Sequence, residues 1–192
     1  TPRVEALTIA LRLRQAAEDG VKAALITPDR MLTRQVTAAL DRWNILPDDS
    51  AGMPLQLSPP GRFLRHVAAL FVRKLDAEAL LTLLKHPLTH SGAGRNFHQL
   101  YTQRLEAEIR RHGLPYPDAE SLVEIAERAA KRMEDPSGFR DWVAWLGETF
   151  PGHDAPGERP LPDCVAAHLA LAERIAAGQP ADPDHLLWQH GA

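Results

Sequence analysis

The sequence predicts a mainly α protein with a small α/β part at its start. Three observations predict it: one short apolar run bounded by turn residues, a long series of helical stripes after it, and Pro/Gly clusters between them. Thr1 and Pro2 suit a helix start, and Val4, Leu7, Ala10 and Leu11 recur at helical spacing until Gly20, so residues 2 to 19 form the first helix. Val21 to Ile26, closed by Thr27-Pro28-Asp29, reads as a strand buried on both faces. From Asp29 onward Leu32, Val36, Ala39, Leu40 and Trp43 make one apolar stripe opposite Arg30, Arg34, Thr37 and Asp41. Asn44 suits a left-handed helix end, and Ile45-Leu46-Pro47 leads away extended. Helix, strand, helix, extended piece is the grammar of an α/β layer.

Pro47, Pro54, Pro59 and Pro60 with Gly52 and Gly61 make residues 47 to 61 a structured loop, with room for a short edge strand at Leu55 to Leu57. The rest is helical. Phe63, Val67, Leu70 and Phe71 share one stripe, and Asp76 caps a leucine-rich helix that must stop at Pro87. Further helices carry Phe97 to Ile109, closed by Gly113, then Leu122 to Met133, then Phe139 to Leu146. After an exposed linker from Pro151 to Pro162, a last helix carries Val165, Leu169, Ala172 and Ile175 and ends at Gly178. The expected organisation is an α/β segment over 1–75 and a helical bundle over 76–192.

At 192 residues the chain can bury one or two cores. No apolar run approaches the length of a bilayer span, and nothing resembles a secretory signal, so no membrane partner is expected. Cys164, the single cysteine, leaves no internal disulfide or Cys-rich metal site, fits a reducing compartment, and is expected to pack in the core. A formal charge of -3 means that any contact with nucleic acid must come from a local patch.

The chemistry searched for is absent from the sequence. No Gly-Lys-Ser/Thr loop can cradle a nucleotide, and Gly92-Ala93-Gly94 lacks both the lysine and a preceding strand. His86 and His90 have the spacing of two zinc ligands, but Pro87 spoils the helix between them, and both read as ordinary polar residues at a helix end. His153 with Asp154, and the pairs Asp48-Asp49 and Asp182 with Asp184, read as solvated loop residues. No catalytic residue, metal ligand or cofactor site is expected in this stretch. Three basic groupings remain: Arg30 with Arg34; Arg62, Arg65, His66 and Arg73; and Arg104, Arg110 and Arg111, interleaved with Glu106 and Glu108.

Several strings carry a family resemblance. Glu5-Ala6-Leu7-Thr8-Ile9-Ala10-Leu11-Arg12 is followed by Ala23-Ala24-Leu25-Ile26-Thr27-Pro28-Asp29-Arg30, then Leu40-Asp41-Arg42-Trp43-Asn44-Ile45, Asp48-Asp49-Ser50-Ala51-Gly52-Met53-Pro54-Leu55 and Pro59-Pro60-Gly61-Arg62-Phe63-Leu64-Arg65. With Leu80 to Leu88 and His168 to Glu173, this order resembles the AddB proteins of alphaproteobacterial type, and more distantly the UvrD-type superfamily 1 helicases. The resemblance implies a partial RecA-like helicase domain interrupted by a helical insertion bundle. It also implies an interior segment of a longer chain, which the missing initiator Met suits. By the same token it implies a cytoplasmic subunit that works with an AddA-like partner on double-strand DNA breaks. Position by position it marks Arg30, Ser50, Gly52, Arg62 and Arg65 as candidates for DNA or interdomain contact, to which the basic grouping with Arg30 adds Arg34, with an Asp49–Arg62 pair that merely fixes the loop as the bland alternative. A second expectation is a helical protein-interaction module built on Trp142, Trp145 and Trp188.

Overall fold

The computed structural model describes residues 1–50, 52, 54–154 and 157–189. It contains eight α-helices and two short 3-10 turns, and no strand among the described residues. The mainly α class is therefore observed. The chain divides into two compact units, Thr1–Met53 and Pro54–Ala192.

In the first unit, α1 (Pro2–Glu18) and α2 (Arg30–Asp41) pack against each other. Ala6 and Ala10 let the backbones approach, and with Val36 and Leu40 they are the buried residues of a small core. Gly20 ends the first helix at φ 67° and Asn44 the second at φ 55°, both left-handed as their residue types favour. Leu25, Trp43 and Ile45 cover the core from the connecting segments, and the Arg14 guanidinium lies 4.9 Å from the Trp43 ring centre.

The expected strand at residues 21 to 26 is replaced by irregular chain without a ladder. Val21 donates to the Ala16 carbonyl, but residues 22 to 26 make no backbone hydrogen bond among the described residues, and Ile26 is 95% exposed. A strand needs a neighbour to satisfy its amides, and none is present in the unit. The edge strand expected at Leu55 to Leu57 is a 3-10 turn, because Ser58 turns back to bond the Leu55 carbonyl through both its amide and its hydroxyl.

The second unit is a bundle of six helices: α3 (Pro59–Ala69), α4 (Ala77–Lys85), α5 (Arg95–His112), α6 (Ala119–Ala130), α7 (Ser137–Thr149) and α8 (Leu161–Ala177). Phe63 and Val67 of α3 join Leu80, Leu84, Leu105, Leu122, Leu146 and Ile175 in one core. That shared burial places the division before α3 and not after residue 75. Asp76 caps α4 by accepting from the Ala79 amide at 2.7 Å, and Pro87 stops it with His86 already extended. Asp76→Ala is expected to cost about 1 kcal/mol of bundle stability in urea unfolding, and Asp76→Ser to restore most of it. An equal loss in both variants would mean that the cap contributes nothing.

The loop after α4 is anchored to the far end of the chain. His90 and Ser91 donate their amides to Ile175 and Ala176 at 2.9 Å, and Ser91 Oγ receives the Leu186 amide at 2.9 Å. His90 Nε2–H donates to the Gln179 carbonyl at 3.0 Å, while Asp182 accepts from Ala93 at 2.6 Å. His90 is 2% exposed and holds a left-handed φ of 47°, so it is a structural hub and not an ordinary polar helix end. Its neighbour His98 accepts the Trp142 indole N–H on Nδ1 at 3.1 Å and donates Nε2–H to Leu84 at 2.7 Å.

Two further expectations need correction. Cys164 is exposed, with Sγ against the Arg159 carbonyl, because α8 buries Leu171, Ala172, Ile175 and Ala176, whereas Val165 and Leu169 face outward. Trp142 and Trp145 are 3% and 5% exposed, which makes them core residues and not docking anchors; only Trp188 is exposed, and it donates to Glu173.

Candidate nucleic-acid interface

The sequence-marked residues fall in both units, and each set has its own local arrangement. In the first unit, Asp29 caps α2 by accepting from Met31 at 2.8 Å and Leu32 at 3.3 Å, which fixes Arg30 at the first helical position. The Arg30 guanidinium lies 3.7 Å from the Asp49 carboxylate, joining the helix start to the loop that carries Ser50. Arg34, one turn later, is exposed and without an ion pair among the described residues. Ser50 is exposed, and Gly52 sits at φ 62°, a left-handed position that suits glycine. Ala51 and Met53, which complete the matched string, lie outside the described residues.

In the second unit, α3 begins with Ser58, whose hydroxyl accepts from Gly61 at 3.2 Å, and Pro59 and Pro60 occupy its first turn. Gly61 is required there, since a Cβ would run into the Leu55 carbonyl. Arg62 donates Nε and Nη2 to the Leu57 carbonyl at 3.1 and 2.8 Å. The expected Asp49–Arg62 pair joins residues of different units; within its own unit each has the partner just given. Phe63 and Val67 face the core, which turns Arg62 and Arg65 outward. Arg73 is also exposed but stands beyond the helix end. Neither Arg62 nor Arg65 has a carboxylate partner among the described residues of this unit.

The electrostatics agree with an uncompensated positive surface. Burial, and then Arg65, lower the pKa of His66. His86 is lowered to about 4 by burial, then by His66, Arg62 and Arg95. The later basic grouping behaves otherwise: Arg110 pairs with Glu106 at 2.7 Å, and Arg111 with the buried Glu108, which also holds Arg132 at 2.6 Å. Arg110 and Arg111 are thus neutralised within α5 itself, and Arg132 reaches that helix from outside it.

His86 and Arg95 belong to the basic surface of α3 although the sequence reading assigned them no such role. One closes α4 and the other opens α5; packing sets the His86 ring against Phe63 of α3, and its pKa responds to both Arg62 and Arg95. The arrangement offers positive charge and N–H donors, which is what a phosphate requires. Among the described residues no group of three His, Cys, Asp or Glu side chains could hold a metal ion, and no helix is long and apolar enough to cross a membrane. Compared with protein-family models, curated proteins and solved structures, the chain finds no match.

Proposed function

We propose that this chain is a non-catalytic segment of an AddB-like subunit, acting with an AddA-like partner in processing double-strand DNA breaks and supplying DNA or interdomain contacts. The observation that carries the reading is the outward face of α3, where Arg62 and Arg65 have no acidic partner among the described residues of their unit and lie beside His66. The matched strings supply the identity of the parent. In the same reading the first unit is the beginning of a RecA-like layer, with residues 21 to 26 as a strand whose neighbours come from other stretches of the parent. The apolar segment between the two helices, whose residues 22 to 26 make no backbone hydrogen bond among the described residues, supports this.

A helical protein-protein interaction module without direct DNA contact is the second reading. The exposure of Val4, Leu7 and Leu11 on α1 favours it, because these side chains form an apolar stripe that water covers poorly. The tryptophans no longer support it.

The test is binding of the 192-residue chain to forked and single-stranded DNA. Affinity is expected to fall steeply with added salt. Arg62→Ala combined with Arg65→Ala should weaken binding about tenfold and flatten the salt slope by about two. An unchanged slope in the double variant would remove these arginines from the contact. Undetectable binding at low salt would leave only the second reading.

A further inference from the structure

Beside the arginines of α3 the bundle presents a histidine whose proton position is set by the fold. The Leu88 amide donates to His86 Nδ1 at 3.2 Å. Nδ1 is therefore the lone-pair nitrogen, and the neutral ring carries its proton on Nε2. That N–H has no acceptor among the described residues, and the ring is only partly buried. His86 lies with its centroid 5.2 Å from Phe63 and 6.5 Å from His66. The same ring is held neutral down to about pH 4. It is thus a fixed donor across the physiological range.

Two arginines whose charge bears on the ring have part of their donor capacity unused. Arg62 gives Nε and Nη2 to Leu57, which leaves Nη1. Arg95 gives Nη1 to the Thr89 carbonyl at 2.7 Å, which leaves Nη2. The permanently charged groups that bear on the ring are Arg62 and Arg95; His66, its own pKa lowered by burial and by Arg65, lies beside it. On the adjoining elements Lys85 is paired with Glu106, whose second cation is Arg110. Like charges gathered without a counter-ion repel, and a bound anion relieves that repulsion while accepting the spare N–H groups.

We infer that His86, Arg62 and Arg95 form a binding site for one phosphate group, in which the imidazole Nε2–H and the two guanidiniums donate to the phosphate oxygens. Its ligand is a phosphodiester of a DNA strand; that identity rests on the function proposed above, whereas the anion chemistry does not. A wholly structural His86 would only stack on Phe63 and hold Leu88, work that is indifferent to added anion.

The full chain tests this with two probes. With inorganic phosphate, the His86 side-chain nitrogen and His66 resonances of the 15N-labelled chain are expected to shift saturably. With a fluorescently labelled oligothymidylate, His86→Phe, which keeps the stacking on Phe63, and Arg95→Gln are each expected to weaken binding about fivefold to tenfold when measured well below the thermal midpoint of each variant, which the loss of the Leu88 and Thr89 bonds lowers. Oligonucleotide binding that drops with Arg62→Ala and Arg65→Ala but ignores both of these variants would overturn the site and leave the proposed function standing. A saturable response of His86 to phosphate without oligonucleotide binding would support the site and overturn the DNA reading. Silence to both probes would end both.

Discussion

Gly178→Ala is expected to destabilise the bundle by about 3 kcal/mol or more, a larger loss than any surface substitution in the chain. Gly178 ends α8 at φ 77° and ψ -155°, a conformation open essentially to glycine alone. A Cβ there would also fall inside contact distance of Cγ, Cδ2 and Nδ1 of the buried His90 ring. That ring cannot retreat easily, because its amide is bonded to Ile175 and its Nε2–H to Gln179. Backbone strain and the clash therefore add. Urea unfolding of Gly178→Ala, His90→Ala and the double variant separates the two causes: the double variant should be less unstable than the sum of the singles, since removing the ring relieves the clash. A Gly178→Ala chain within about 0.5 kcal/mol of the parent would mean that helix and ring do not approach as described.

The second large effect is acid lability centred on His98. Its folded-state pKa is lowered from 6.5 to about 4 by burial, opposed by the bond to Leu84 and reinforced by His90 and Arg95. The geometry explains why a second proton is unwelcome. Nδ1 is occupied as the acceptor of the Trp142 N–H, and adding a proton would set two donors against each other. In the unfolded chain the ring takes up its proton near pH 6.5. Stability is thus complete above that pH and declines as pH falls towards 4, by about 1.4 kcal/mol per pH unit and about 3 kcal/mol in all. His86 is lowered similarly but is partly exposed, so its contribution is discounted for solvent. His98→Gln can still accept from Trp142 and donate to Leu84 without titrating, and its unfolding free energy should vary less with pH by about one proton. Parallel curves for the two proteins would show that His98 is not the sensor.

Much of the helical part was legible because its signals are local. Asp76 and Pro87 bracket α4, Gly113 and Gly178 close α5 and α8, and Asn44 turns left-handed where its side chain tolerates it. The first extended run was legible as an apolar segment but not as unpaired chain, because pairing depends on residues distant in sequence. The face of α8 was misjudged for a related reason. Both Val165/Leu169 and Leu171/Ile175 fit a helical stripe, and only packing against α3 and α7 selects the second.

The candidate site divides in the same way. Arg62 and Arg65 were visible as an uninterrupted basic face, whereas Arg104, Arg110 and Arg111 were visible as mixed with acids, and the ion pairs at Arg110 and Arg111 follow that difference. The contribution of His86 was hidden. Its proton position depends on the Leu88 amide, and its basic neighbours come from helices separated by loops.

The stitching of His90 and Ser91 to Ile175, Ala176, Gln179 and Leu186 has a consequence for how the polypeptide acquires its shape. Leu88 and Thr89 find their acceptors locally, but the His90 and Ser91 amides are satisfied only by residues of α8, late in the chain. On the ribosome α3 to α5 can gather, but the turn between α4 and α5 stays solvated until α8 emerges. Until then this turn lacks its final partners, so its amides are the ones that the arrival of the last helix protects.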